Sequence, residues 1–129
     1  MSTLNVKTTV VGREKMAQAH MGTALLPAIT QIGFGSGGHD IGTGLPTEPT
    51  GLETVVGGEV LRKDIESFSF PITTTAEIIG ILDFSEGNGV SISAIGLYDS
   101  AGDLIALKHS APSPKAADTR LEVTWDEQF

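Results

Sequence analysis

The stretch Ile92-Ser93-Ala94-Ile95-Gly96-Leu97-Tyr98-Asp99-Ser100-Ala101-Gly102-Asp103-Leu104-Ile105-Ala106-Leu107-Lys108-His109 decides how the rest of the chain is read. It holds two apolar runs, residues 92–98 and 104–107, on either side of Asp99-Ser100-Ala101-Gly102-Asp103. An Asp carboxylate caps nearby backbone N–H groups at a turn, and Gly102 takes a positive φ without a Cβ clash. Apolar runs joined in this way make a β-hairpin with a loop of about four or five residues. Their apolar density predicts a central hairpin covered on both faces rather than an edge.

Downstream, residues 110–118 contain Pro112 and Pro114 and read as loop. Residues 120–126 alternate Leu121, Val123 and Trp125 with Arg120, Glu122, Thr124 and Asp126, which predicts a final strand. Upstream, Glu86-Gly87-Asn88-Gly89 is a turn, and residues 75–84 form an apolar strand. Residues 65–72 place Phe68, Phe70 and Ile72 on one face, with Pro71 marking an edge or a strand end. Residues 59–62 and 28–34 read as strands. Residues 36–51 are a long polar loop rich in Gly and Pro, and such loops carry function more often than structure.

At the N-terminal end, Leu4, Val6, Thr8 and Val10 alternate with polar residues and predict a strand over residues 3–11, broken by Gly12. Residues 13–21 are good helix formers, with Met16, Ala17, Ala19 and Met21 as the buried positions and Gly22 as the stop. The sum is a mainly β (α+β) fold: an antiparallel β-sandwich or open barrel of about seven strands with one short N-terminal helix. It forms a single domain over residues 1–129, with residues 1–12 as a candidate extending arm.

Composition narrows the function. The 129 residues carry a net charge of −8, which disfavours nucleic acid and anionic membrane surfaces as partners. Without cysteine, the chain has neither disulfides nor thiolate chemistry. No apolar stretch approaches the ~18 residues needed to span a bilayer. The N-terminus lacks the basic region and apolar run of a secretory leader. There is no heptad or collagen-like period, so no fibre shaft is written into these residues.

Catalytic motifs are equally scarce. Gly33-Phe34-Gly35-Ser36-Gly37-Gly38 has the spacing of a dinucleotide loop, but Pro46 and three further glycine- or aspartate-rich positions follow it where a helix must start. His20, His39 and His109 are far apart in sequence and lack metal-ligand spacing. Asp99 and Asp103 read as turn caps. No serine stands in a nucleophile-elbow context. The expectation is no catalytic residue, no metal and no cofactor. The candidate interaction residues are His39, Asp40, Leu45, Pro46 and Pro49 in the long loop, with Trp125 and Phe129 in the C-terminal tail. For Trp125 the competing reading is a core position.

Ile95-Gly96-Leu97-Tyr98-Asp99 followed by Gly102-Asp103-Leu104-Ile105-Ala106 resembles the signature of the phage tail-collar fibre family. Further parts of the chain resemble that family in order. They are the helix over residues 13–21, Ile29-Thr30-Gln31-Ile32-Gly33-Phe34-Gly35, the Pro46-Thr47-Glu48-Pro49-Thr50 loop, Glu59-Val60-Leu61-Arg62, Pro112 to Lys115, and Leu121 to Trp125. The resemblance implies a structural virion protein of a phage tail, attached to the baseplate as a tail fibre root or fibre adaptor. It implies baseplate or other tail proteins as partners, a homotrimer, and assembly in the host bacterial cytoplasm. The alternative is a receptor- or carbohydrate-binding β module of the tail tip, which would need a cluster of exposed aromatics.

Overall fold

The computed structural model describes residues 5–128. The chain runs through β1 (Val6–Thr8), α1 (Val10–His20), β2 (Ile29–Gly35), β3 (Glu59–Asp64), β4 (Ser67–Ile72), β5 (Thr75–Leu82), β6 (Ser91–Asp99), β7 (Leu104–Pro114) and β8 (Leu121–Gln128). Two antiparallel sheets form, one ordered β1-β7-β6-β2-β3 and the other β4-β5-β8. The architecture is the expected sandwich of antiparallel sheets, with eight strands where about seven were expected, and neither sheet closes into a barrel.

Hairpin β6–β7 lies at the centre of the five-stranded sheet, as its composition predicts. Residues 92–99 are all buried. One face of the sheet packs on the three-stranded sheet through Ile32, Phe34, Ile95 and Leu97 against Ile78, Leu82 and Trp125. Full burial of an aliphatic side chain of this kind contributes about 1.5–3 kcal/mol. The opposite face carries Ala94, Tyr98, Leu104 and Leu107, which bury Val56 from the long segment between β2 and β3. At the hairpin turn Gly102 has φ +88°, and the Asp99 carboxylate accepts from the backbone N–H groups of Ala101 and Asp103, both at 3.0 Å.

The N-terminal region departs from the sequence reading. The strand stops at Thr8 and the helix begins at Val10, not Arg13. The cause is Thr9. Its hydroxyl accepts from the Gly12 N–H at 3.0 Å, an N-cap, and donates to the Leu104 carbonyl at 2.6 Å. Gly12 does not break a strand; it is the buried residue of the helix, set against the Ile105 carbonyl. Ala17 and Met21 are exposed, and Met16 and Ala19 are half-buried, because α1 meets the sandwich along a narrow stripe. From Val6 onward the expected arm is therefore part of the fold, paired with Ala106–Lys108 of β7.

Strand β7 also runs on to Pro114 through residues that read as loop. Proline removes a ladder N–H, which is tolerable where one side of a strand is unpaired. Among the described residues β1 pairs at Ala106–Lys108, and Pro112 and Pro114 have no strand neighbour on that side of β7. Lys115 follows, buried, its ammonium donating to Asn88 Oδ1 and the Ala116 carbonyl at 2.9 Å each and tying the strand end to the turn before β6.

Candidate functional site

Tyr98, Glu59 and Arg62 meet on the outer face of the large sheet, where they clamp the segment of residues 36–58. Tyr98 on β6 is fully buried. Its hydroxyl accepts from the Val56 N–H at 2.9 Å and donates to the Glu59 carboxylate. Arg62, three residues along β3, donates to Glu59 Oε1 at 3.1 Å and lays its guanidinium over the Tyr98 ring, 3.6 Å from the centroid. Burial, reinforced by the bond to Glu59, pushes the Tyr98 phenol up to about 12.

Glycines let the segment lie this close. A Cβ at Gly35 or Gly37 would strike the Gly57 backbone, and one at Gly38 would strike the Ser93 carbonyl. The glycine-rich stretch is thus a backbone-to-backbone contact, and no helix follows it. Gly38 N–H donates to Ser93 Oγ at 2.9 Å, and His39 Nδ1 meets the same hydroxyl at 2.7 Å. His109 on β7 is buried, and its Nδ1 lies 2.9 Å from the Thr47 carbonyl. The same Nδ1 lies 3.1 Å from the Thr47 hydroxyl, so His109 holds this residue of the loop through two atoms.

The apex of this segment is exposed, as are Leu52 and Val55 further along it. His39 bridges to Pro46, and the Asp40 carboxylate caps the N–H groups of Gly42 and Thr43 at 2.8 and 3.1 Å. Between these ties Ile41 is 95 % exposed and Leu45 is 65 % exposed. The structure does not bring all the candidate residues together. His39, Asp40, Leu45 and Pro46 share the apex, whereas Pro49 is fully buried beneath the loop. Trp125 sits in the core at 3 % exposure, its Nε1 donating to Glu127. Neither Pro49 nor Trp125 offers a surface. Phe129 lies outside the described residues. Ile41 is the residue that the sequence reading missed: a lone apolar side chain in a polar loop, next to His39-Asp40.

A second set of charges locks the far end of the hairpin. Lys15 on α1 reaches Asp99 Oδ2 at 2.5 Å and Asp103 Oδ2 at 2.6 Å. The hydrogen bonds to Asp103 and Asp99 raise the Lys15 pKa. The two aspartates cap a turn and hold a helix; no substrate pocket opens on them. Among the described residues, no group of three or more His, Cys, Asp or Glu is arranged to hold a metal ion. No helix of the described residues is long and apolar enough to cross a membrane.

The fold is an antiparallel sandwich with a clamped surface loop. The family model for the N-terminal domain of phage tail-collar fibre proteins matches residues 1–124. The chain belongs to the phage tail-collar fibre family. Neither the curated proteins nor the solved structures contain a match. The family assigns the chain a structural role in a phage tail fibre, in association with other tail components.

Proposed function

We propose that this chain attaches to the baseplate as the root of a tail fibre or as a fibre adaptor, assembled as a homotrimer in the host bacterial cytoplasm. The observation that carries the reading is the apex of the clamped loop. Ile41 and Leu45 stand exposed on a turn whose backbone is held at both ends. A rigid apolar projection loses little conformational entropy on docking, which is what an attachment point needs. His39, Asp40 and Pro46 hold the projection in shape, and Leu45 with Ile41 makes the contact. The family's place in the tail supplies the setting.

The receptor- or carbohydrate-binding reading has less support. Sugar sites combine exposed aromatic rings with Asp or Asn; Tyr98 and Trp125 are buried, and the exposed pair Phe68 and Phe70 is flanked on its strand by Ser67, Ser69 and Pro71. The test is incorporation into tails. Ile41→Asp together with Leu45→Asp should keep the fold, read by thermal unfolding, and abolish recovery of the chain in purified particles. Normal recovery overturns the assignment of the apex. Light scattering behind a sizing column decides the trimer: a mass three times that of the chain supports it, and a monomer at all concentrations removes it.

A further inference from the structure

The core-side face of the small sheet extends past the layer that covers it. Phe68 pairs across from Ile78, and Ile78 pairs across from Trp125, so these three side chains share the inward face. Ile78 and Trp125 are each 3 % exposed, yet Phe68 is 63 % exposed. Phe70 meets Phe68 edge-to-face at 6.1 Å and is equally exposed. Between this overhang and α1 runs an apolar groove of about 340 Å³, walled by residues including Met16, Leu26, Phe68, Ala76 and Ile105. Exposed apolar surface of this kind marks a site of association.

Charge says what fills it. Glu66 lines the depression that continues the groove past Phe68. On the other side Glu127 pairs across from Ala76, half-buried, and burial raises its carboxyl above the usual range. Neither carboxylate makes an ion pair among the described residues. A second copy of the chain has little to offer them. Lys7, Lys15, Arg62, Lys63 and Arg120 are engaged with carboxylates of their own chain, and Lys115 with Asn88. That leaves Arg13 and Lys108 against a net charge of −8. Strand β4 is the edge of its sheet and carries Pro71, which has no N–H to give a ladder. The occupant therefore docks by its side chains.

We infer that the groove between α1 and the Phe68–Phe70 overhang receives an apolar segment of a different tail protein, flanked by lysine or arginine. This rests on the reading of the chain as a tail attachment protein and adds a second contact to the loop apex. The two lie on opposite faces of the five-stranded sheet, so the domain has two ends to join.

The test places a photoreactive benzophenone amino acid at position 70, and separately at position 45, in cells producing the particle. Support is a cross-link from position 70 to a different tail protein, mapped by mass spectrometry to an apolar segment bearing Lys or Arg. Reversal of Glu66→Lys should then lower that cross-link yield by about threefold. A cross-link from position 70 to a second copy of this chain overturns the inference. So does a position 70 that stays uncross-linked in particles that contain the chain. If the unsubstituted chain is missing from purified tails, the attachment reading fails, and this inference fails with it. A cross-link at 70 with none at 45 keeps the groove and removes the apex.

Discussion

The Tyr98 hydroxyl donates to Glu59 while accepting from Val56, so one buried side chain of the central hairpin fixes both the end of the long loop and the start of β3. Tyr98→Phe leaves the buried Val56 N–H without a partner. It should cost about 1–3 kcal/mol, the usual penalty for an orphaned buried donor. Urea unfolding measures the loss. Limited proteolysis within residues 36–58 should accelerate in parallel, because the loop loses its tie. Unchanged stability would place the clamp elsewhere.

Alkaline pH should destabilise the chain by the same route. The folded Tyr98 pKa of about 12 lies above the ordinary value of 10.0, so the folded state keeps its proton longer. The stabilisation is complete below pH 10 and is lost as pH rises towards about 12. Lys15, also raised above its ordinary 10.5 by its bonds to Asp103 and Asp99, acts in the same direction. Urea midpoints taken from pH 9 to 12 should fall, and Tyr98→Phe should flatten part of the fall. A profile identical in the two proteins would remove Tyr98 from it.

Gly12→Ala sets two effects against each other. Alanine improves helix propensity by about 1 kcal/mol. The added Cβ, however, would lie 2.7 Å from the Ile105 carbonyl, a backbone atom of β7 that cannot swing aside. Overpacking of this kind costs about 1–3 kcal/mol, so the clash should win and the melting temperature should drop. A rise would mean that α1 shifts freely on the sheet.

Asp99→Ala should be worse than Asp99→Asn. Alanine removes the turn cap and the buried one of the two carboxylates that hold Lys15, and the Ala101 and Asp103 N–H groups lose their acceptor at about 1–3 kcal/mol. Asparagine keeps an oxygen for the Ala101 and Asp103 N–H groups, and Asp103 still holds Lys15. Thermal unfolding of both variants checks the order.

The parts of the fold that were legible in the sequence are those governed by local pattern. Strict alternation in Leu121, Val123 and Trp125 gave β8, and Asp99 with Gly102 gave the hairpin turn. What remained hidden depends on distant partners. Thr9 reads as one more strand residue until the Leu104 carbonyl is placed beside it. Pro112 and Pro114 look like loop because their place in β7 is fixed by pairing with β6, a property of the sheet. Residues 36–58 look loose because their order comes from glycine backbones meeting other backbones. The exposure of Leu45 was legible from its polar loop, whereas the burial of Pro49 and the overhang of Phe68 required the tertiary arrangement.

Thr9 and Leu104, joined by a hydrogen bond, are separated by 95 positions in the sequence. On the ribosome this spacing is a delay. The N-terminal strand and helix leave the exit tunnel with nothing to rest on, and β2 likewise waits for β6, since its other neighbour β3 forms the sheet edge. The large sheet closes only when the last third of the chain has been made. A prematurely terminated chain therefore presents neither a clamped loop apex nor a formed groove.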